Sequence, residues 1–164
     1  MLEQLCTCSE TYQKYSEIIN PYPENPSSIE SLNQLQKQIL TPVINRFGYE
    51  NFQLTYGFCS KDLKKFVEKE KSRVCTTVDQ HMAHEINSRG NYYCKHLGAA
   101  CDFAIAGINS QKIIIFLRRL NFDSIYYYGE DKPIHVSWSK LPRRKIWEFT
   151  QQNTPIPYKN YYCV

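Results

Sequence analysis

The chain of 164 residues has 42% hydrophobic residues, 22% charged residues and a formal net charge of +4. This length suits one domain with a single core, and this composition excludes a disordered chain. The mild positive charge permits an anionic ligand but does not demand a nucleic acid. A nucleic-acid- or nucleotide-binding protein is therefore an alternative and not the leading hypothesis.

The cysteines predict a reducing compartment. They number 7, their spacing is irregular, and no N-terminal segment combines a positive start with a long apolar run. These features argue against a secreted disulfide scaffold. No apolar stretch approaches the roughly 18 residues that cross a bilayer. We expect a cytoplasmic protein without membrane contact, and the sequence indicates no oligomeric state.

The first segment, residues 1–28, is predicted to be an N-terminal arm and a loop, because NPYPENPSS at its end can continue neither a helix nor a central strand. Ser27 precedes Glu30 by three residues, which is the pattern of a capping box. Apolar residues at helical spacing then predict a helix over residues 29–46, which Pro42 kinks or interrupts.

Two elements follow this helix. FQLTYGF (52–58) alternates apolar and polar residues and predicts a strand that runs into a turn. Ser60 is a candidate N-cap for a helix over residues 61–70. Residues 71–97 are polar and aperiodic, and a loop of this length in a small domain is usually functional.

The second half of the chain alternates strands and helices. GAACDFAIA (98–106) is a small apolar run around one carboxylate and predicts a buried strand with Asp102 on one face. The remaining predictions are a helix over 110–122, strands over 122–129 and 133–138, a short helix over RRKIWEF (143–149), and an irregular tail with Pro155 and Pro157. We expect one domain over residues 29–150 and a C-terminal tail over 151–164.

The histidines point to a metal. All 4 lie within one stretch of the chain, at positions 81, 84, 96 and 135, and this stretch also holds Asp102. Neutral imidazole together with carboxylate is the usual ligand set of a catalytic zinc. The sequence therefore predicts a zinc site.

The order of the segments resembles a known family. LxxLxxxxLTPVxxRFG, LTYGFCS, a histidine, GxAxDF and IHVS follow one another over about residues 29–138, and this order is similar to that of the D-alanyl-D-alanine carboxypeptidase and hedgehog-type zinc peptidase family. The resemblance implies a small α+β domain with an antiparallel sheet flanked by helices. It also implies a zinc held by a histidine, by the aspartate of the G-x-A-x-D strand and by a second histidine, and Asp102 and His135 match the latter two.

The first ligand has two candidates. The family places its first histidine seven residues ahead of the aspartate, whereas His96 stands six residues ahead of Asp102 and follows Cys94 where the family has serine. His81 is the alternative, with residues 85–97 as an insertion, and we favour it because its distance from the YGFCS turn is closer to the family pattern. His84, three residues later, could add a ligand from the same helical turn.

Two departures from the family concern catalysis. Its substrate-binding arginine is replaced by Cys59, so Arg73 or Arg89 would have to substitute. Its general base, three residues ahead of the last histidine, is replaced by Lys132. Asp131, and next to it Glu130, are the available carboxylates, and Glu85 is the fallback base.

The function that we infer is a cytoplasmic zinc-dependent hydrolase that cleaves an amide, a peptide or a related bond in a small peptide-like or other small-molecule substrate. D-Ala-D-Ala peptide is one candidate. Arg73, Tyr128 and Ser137 are the predicted substrate-binding residues, and the tyrosines 126–128 with Phe58 and Trp138 could stack on a planar ligand. A non-catalytic metal-containing binding module is the main alternative.

Overall fold

The structure, a computed structural model, describes residues 1–70 and 80–159. These residues form helices and one open sheet, which confirms the predicted α+β class. The sheet has six strands in the order β1-β2-β4-β3-β5-β6. Their bounds are β1 Phe52–Tyr56, β2 Ala99–Ile105, β3 Ser124–Tyr127, β4 Ile134–Trp138, β5 Lys145–Phe149 and β6 Pro155–Pro157. The sheet is not wholly antiparallel as predicted, because β3 and β5 pair in parallel.

The helices have the bounds α1 Leu2–Thr7, α2 Glu10–Lys14, α3 Pro26–Leu35, α4 Thr41–Phe47, α5 Lys61–Lys69 and α6 Ser110–Leu117. A π-helical segment, Gln36–Leu40, joins α3 to α4, and a short 3-10 segment, Tyr49–Asn51, precedes β1. No helix in the two described ranges is long and apolar enough to cross a membrane.

The long helical region differs from its prediction at the start. Asn25 is the N-cap, since its side chain accepts a hydrogen bond from the Ser27 backbone N–H, and Pro26 occupies the first turn. Ser27 lies inside the helix, so the capping-box prediction is wrong. The α-helix is interrupted near Pro42, as predicted: a π-helical segment ends at Leu40, and α4 begins at Thr41 with the proline, which has no N–H to donate, in its first turn.

Helix α5 begins as predicted. Ser60 is its N-cap and its hydroxyl oxygen accepts from the Leu63 backbone N–H at 3.1 Å. The same hydroxyl donates to the Asn20 carbonyl oxygen at 2.6 Å, so Ser60 joins the helix to the segment after α2. The Ser60 side chain thus stabilises both a helix end and a tertiary contact.

Replacing Ser60 by alanine should lower the free energy of unfolding by about 1–2 kcal/mol, because the Leu63 N–H at the helix start and the Asn20 carbonyl oxygen both lose their partner. For a chain of this length the Tm should fall by roughly 2–8 °C. Thermal unfolding followed by circular dichroism measures this. Ser88→Ala, at an exposed position in a turn, is the control, and an equal loss in both variants would contradict the capping role.

One face of the sheet holds the core. In β2, residues 99, 101, 103 and 105 are buried, whereas Asp102 and Ala104 on the other face are partly exposed. The core cluster joins these strand residues to the apolar faces of the helices; its members include Leu5, Leu32, Leu35, Leu40, Val43, Phe103, Ile114, Leu117, Ile125 and Val136. The opposite face, with Asp102, is therefore left for other contacts.

The N-terminal segment contributes to this core. Residues 1–28 contain α1 and α2, and Leu5 of α1 is fully buried. Its carbonyl oxygen accepts from the Phe58 backbone N–H at 2.7 Å, just after β1. This contact ties α1 to the turn that follows the first strand.

The C-terminal region is extended where a helix and an irregular tail were predicted. Lys145–Phe149 forms β5, so the predicted helix over 143–149 is wrong, and Pro155–Pro157 forms β6. The apolar residues Ile146, Trp147 and Phe149 suit a strand, and pairing with β3 satisfies the backbone that a seven-residue helix would have left largely unpaired. Proline is acceptable in β6 because that strand is the sheet edge.

Candidate metal centre

The pairing of β2 with β4 places two predicted ligands side by side. Asp102 lies opposite His135 in the antiparallel register, so both side chains project from the face opposite the helical core. His135 Nδ1 lies 2.9 Å from Asp102 Oδ1. The strand register alone therefore joins an imidazole and a carboxylate.

The third residue, His81, comes from the loop that precedes β2. Its Nε2 lies 3.4 Å from Asp102 Oδ1, and its Nδ1 lies 2.7 Å from the Gly57 carbonyl oxygen. The His81 carbonyl oxygen also accepts from the Cys59 backbone N–H at 2.8 Å. Two hydrogen bonds thus anchor His81 to the YGFCS turn, and with Nδ1–H donated to Gly57, the Nε2 lone pair faces Asp102.

Glycine is required in that turn because the backbone passes close to α1. A Cβ atom on Gly57 would overlap the Leu5 carbonyl oxygen. The same Leu5 oxygen accepts from the next residue, Phe58. The turn therefore lies between α1 on one side and His81 on the other, and its backbone is hydrogen-bonded to both.

The three side chains fit a metal ion. Their ligand atoms all lie within 4.8 Å of one another in His81, Asp102 and His135. The two histidine side chains are 1% exposed and the Asp102 side chain is 23% exposed, so the cluster opens to solvent on the aspartate side. Two imidazole nitrogens and one carboxylate oxygen with an open fourth position are the ligand set of a catalytic zinc, and the Gly57 carbonyl is the kind of outer partner that orients a ligating histidine.

Asp102 is ready to act as a ligand near neutral pH. Burial by itself would raise the pKa of this carboxyl, but the neighbouring His81 and a hydrogen bond with His135 hold the pKa well below its usual range. The carboxyl is therefore an anion at neutral pH, which a metal ligand must be.

No protein-family model, no curated protein and no solved structure matches this chain. The comparisons identify no family, and the resemblance to zinc peptidases rests on the motifs of the sequence.

Aromatic rings form the walls of the centre. The Tyr56 ring meets His81 edge to face, with centroids 4.7 Å apart and planes at 86°. The Tyr126 ring stacks on His135, with centroids 4.3 Å apart and planes at 15°. These contacts fix both imidazoles between rings and leave Asp102 as the accessible side.

The structure does not bring the other two histidines to this cluster. His84 is half-buried, its ring lies against Tyr92 with centroids 6.1 Å apart, and its backbone N–H donates to the Ser28 hydroxyl. His84 and His96 instead line a separate cavity of about 470 Å³ between α3 and the segment after β4. Burial lowers the pKa of both.

The predicted general bases lie elsewhere. Glu130 and Asp131 are exposed in the turn between β3 and β4, and the Glu130 carbonyl oxygen accepts from the Ser110 backbone N–H at the start of α6. Glu85 is 1% exposed, and one of its oxygens accepts from the Asn25 backbone N–H at 3.0 Å and from the Ser28 hydroxyl at 2.9 Å. Glu85 therefore joins the loop to the start of α3.

The predicted substrate-binding residues are scattered. Ser137 is buried on the same face as His135, and its hydroxyl pairs with that of Ser124 at 2.6 Å. Tyr128 is 40% exposed at the end of β3. Arg89 is exposed in a turn, and Arg73 lies outside the described residues. The sequence analysis did not identify the Gly57 carbonyl, which is a backbone group. It also did not identify the aromatic residues of β5, because a helix was predicted for that segment.

The proposed stacking surface also divides between the two faces of the sheet. Tyr127 and Phe58 are buried in the core, and Trp138 packs against the same core. Tyr126 lies on the metal-centre face, where it stacks on His135. Of this set, Tyr126 and Tyr128 are the residues that a ligand at the centre could reach.

Proposed function

We propose that this chain is a zinc-dependent hydrolase of the DD-carboxypeptidase-like type, which cleaves an amide, a peptide or a related bond in a small substrate. The observation that carries this proposal is the cluster of His81, Asp102 and His135, with ligand atoms within 4.8 Å and an open side at Asp102. A zinc ion at this site would lower the pKa of a bound water to about 7 and polarise a substrate carbonyl.

The residues of the chain contribute binding, orientation and exclusion of water. His81 and His135 present one nitrogen each, and the hydrogen bond that His81 Nδ1–H donates to the Gly57 carbonyl leaves Nε2 of His81 unprotonated and directed at Asp102. The rings of Tyr56 and Tyr126 cover the imidazoles. A substrate would approach from the Asp102 side, the exposed edge of the cluster.

A cytoplasmic location is part of the same proposal. Cys6, Cys8 and Cys101 are free thiols, which agrees with a reducing compartment. Burial raises the pKa of the Cys6 thiol to about 12, so this cysteine is protonated and inert at neutral pH.

One observation favours a second candidate, a metal-containing binding module without catalysis. Hydrolysis requires a base that accepts a proton from the attacking water. Glu85 accepts hydrogen bonds from Asn25 and Ser28. Glu130 and Asp131 lie in the exposed turn between β3 and β4, where the Glu130 carbonyl oxygen bonds to the first residue of α6. The structure thus places none of the three predicted bases in contact with the cluster.

The test is zinc-dependent release of an amine by the zinc-loaded protein from a panel of dipeptides and N-acyl amino acids that includes D-Ala-D-Ala. We expect turnover that a chelator abolishes and added zinc restores, and we expect none with His135→Ala. Retained zinc without turnover on any member of the panel would favour the binding module. A wild-type protein that binds no zinc would overturn both candidates.

A further inference from the structure

An aromatic surface begins at the candidate metal centre. The register of β2, β4 and β3 places Asp102, His135 and Tyr126 in one row on the same face. The Tyr126 ring lies almost parallel to the His135 ring, at 15° and 4.3 Å between centroids. Neighbouring strands lie about 4.8 Å apart, so Tyr126 stands about 10 Å from Asp102 along the sheet.

The parallel pairing of β5 with β3 extends this surface. Trp147 is the partner of Tyr126 in that register, and Phe149 lies two residues further on the same face. The Phe149 ring contacts Tyr126, with centroids 5.3 Å apart and planes at 54°, and contacts Tyr128 at 4.9 Å and 38°. We call Tyr126, Tyr128 and Phe149 the aromatic shelf.

The shelf is partly exposed, unlike Tyr127, which stands between Tyr126 and Tyr128 in the sequence. Tyr128 is 40% exposed and Tyr126 and Phe149 are partly exposed, whereas Tyr127, which points to the other face, is 5% exposed and lies in the core. The tilted planes of the three rings form a shallow corner rather than a flat surface. A corner of this kind accepts another ring in edge-to-face or offset-stacked geometry, which aromatic pairs prefer.

We propose that the aromatic shelf is a specificity subsite for an aromatic group of the substrate, positioned by the part of the molecule that binds at the metal centre. This inference rests on the proposed function. Its support is continuity, because the shelf starts at the ring that covers His135 and runs away from Asp102 across β3 and β5. A substrate anchored by a carbonyl at the open side would reach Tyr126 with a ring about six to eight bonds away, since an extended chain covers roughly 1.2 Å per bond.

The test uses two metal-binding probes of different size. Cobalt-loaded protein is titrated with acetohydroxamate and with 6-phenylhexanohydroxamate, whose ring is six bonds from the carbonyl, and the visible absorption of the cobalt reports binding directly. We expect the phenyl probe to bind the wild type at least about tenfold more tightly, the factor that corresponds to one good aromatic contact. In Phe149→Ala and in Tyr128→Ala this preference should fall to about threefold or less, while the affinity for acetohydroxamate stays the same.

Tyr49→Ala is the matched control, since Tyr49 is an aromatic residue of 59% exposure that lies before β1 and outside the shelf. The control should keep the full preference for the phenyl probe. An equal affinity of both probes for the wild type, or an unchanged preference in both shelf variants, would overturn the subsite while the metal centre stands. A wild-type protein that binds no cobalt would overturn the proposed function and the subsite with it.

Discussion

Asp102→Asn should lose bound zinc. The carboxylate lies between the two imidazoles, 2.9 Å from His135 Nδ1 and 3.4 Å from His81 Nε2, and it is the one anionic ligand of the cluster. Changes in the outer shell of a metal site alone cost 10–100-fold in affinity, so loss of a direct ligand should weaken zinc binding by more than about 100-fold. Asparagine keeps the size of the side chain, and the fold should survive the change.

The measurement is zinc content per chain, by elemental mass spectrometry of protein purified without added chelator, followed by a competition titration with a chromophoric chelator. We expect about one zinc per chain in the wild type and far less than one in Asp102→Asn. Circular dichroism of the same samples shows whether the variant is folded.

His84→Ala is the decisive companion variant. The pattern His-x-x-His predicts that His84 supplies a second ligand, whereas the structure places its ring beside Tyr92 and its backbone against Ser28. If the cluster of three is the metal centre, His84→Ala keeps its zinc and His81→Ala loses it. Equal loss in the two histidine variants, or full zinc content in Asp102→Asn, would show that the centre is elsewhere.

The strand pair of the metal centre could be predicted because its information is local. Asp102 is the one carboxylate in an apolar run, and His135 is a polar residue in a segment, IHVSW, that alternates apolar and polar residues. In both segments the polar side chain must leave the core, so both project from the same face once the strands pair. Residue types and the two-residue period of a strand suffice for this prediction.

The place of His81 depends on contacts that no local pattern encodes. Its ring nitrogen bonds to Gly57, 24 residues earlier in the chain, and its carbonyl oxygen bonds to the amide of Cys59. The family resemblance could indicate His81 as one candidate beside His84 and His96. Only the folded path of the loop shows which of the three histidines lies at the centre, because it brings His81 to Asp102 and places His84 and His96 at a different cavity.

The wrong helix prediction for residues 143–149 has a related cause. RRKIWEF has neither a clear helical period nor a clear alternation, and a short segment of this kind takes the structure that its neighbours offer. Its partner is β3, about twenty residues earlier, in a parallel pairing. The helix prediction could not indicate the aromatic shelf, because Trp147 and Phe149 lie on the metal-centre face only if that segment is a strand.

Gly98→Ala should destabilise the protein more than a glycine-to-alanine change at any other described glycine outside the YGFCS turn. Gly98 has a φ of +144°, and a Cβ atom there would overlap the Trp138 carbonyl oxygen and lie 2.9 Å from Gln80 Nε2. The Trp138 backbone is held opposite Ala99 by the β2–β4 register and cannot move freely. Backbone strain and overlap together should cost about 3 kcal/mol or more, which lowers the Tm by roughly 6–12 °C.

The control is Gly107→Ala, at a φ of +72° with nothing within 4 Å of the added Cβ. It carries the backbone strain without the overlap, so it should cost only about 1 kcal/mol. Differential scanning calorimetry of both variants separates the two effects. Gly98 immediately precedes the strand of Asp102, and its added Cβ would lie 2.9 Å from the side chain of Gln80, the neighbour of His81. The Gly98 variant should therefore also bind zinc more weakly than the Gly107 variant. Equal Tm values and equal zinc affinities would show that Gly98 does not couple the loop to the sheet.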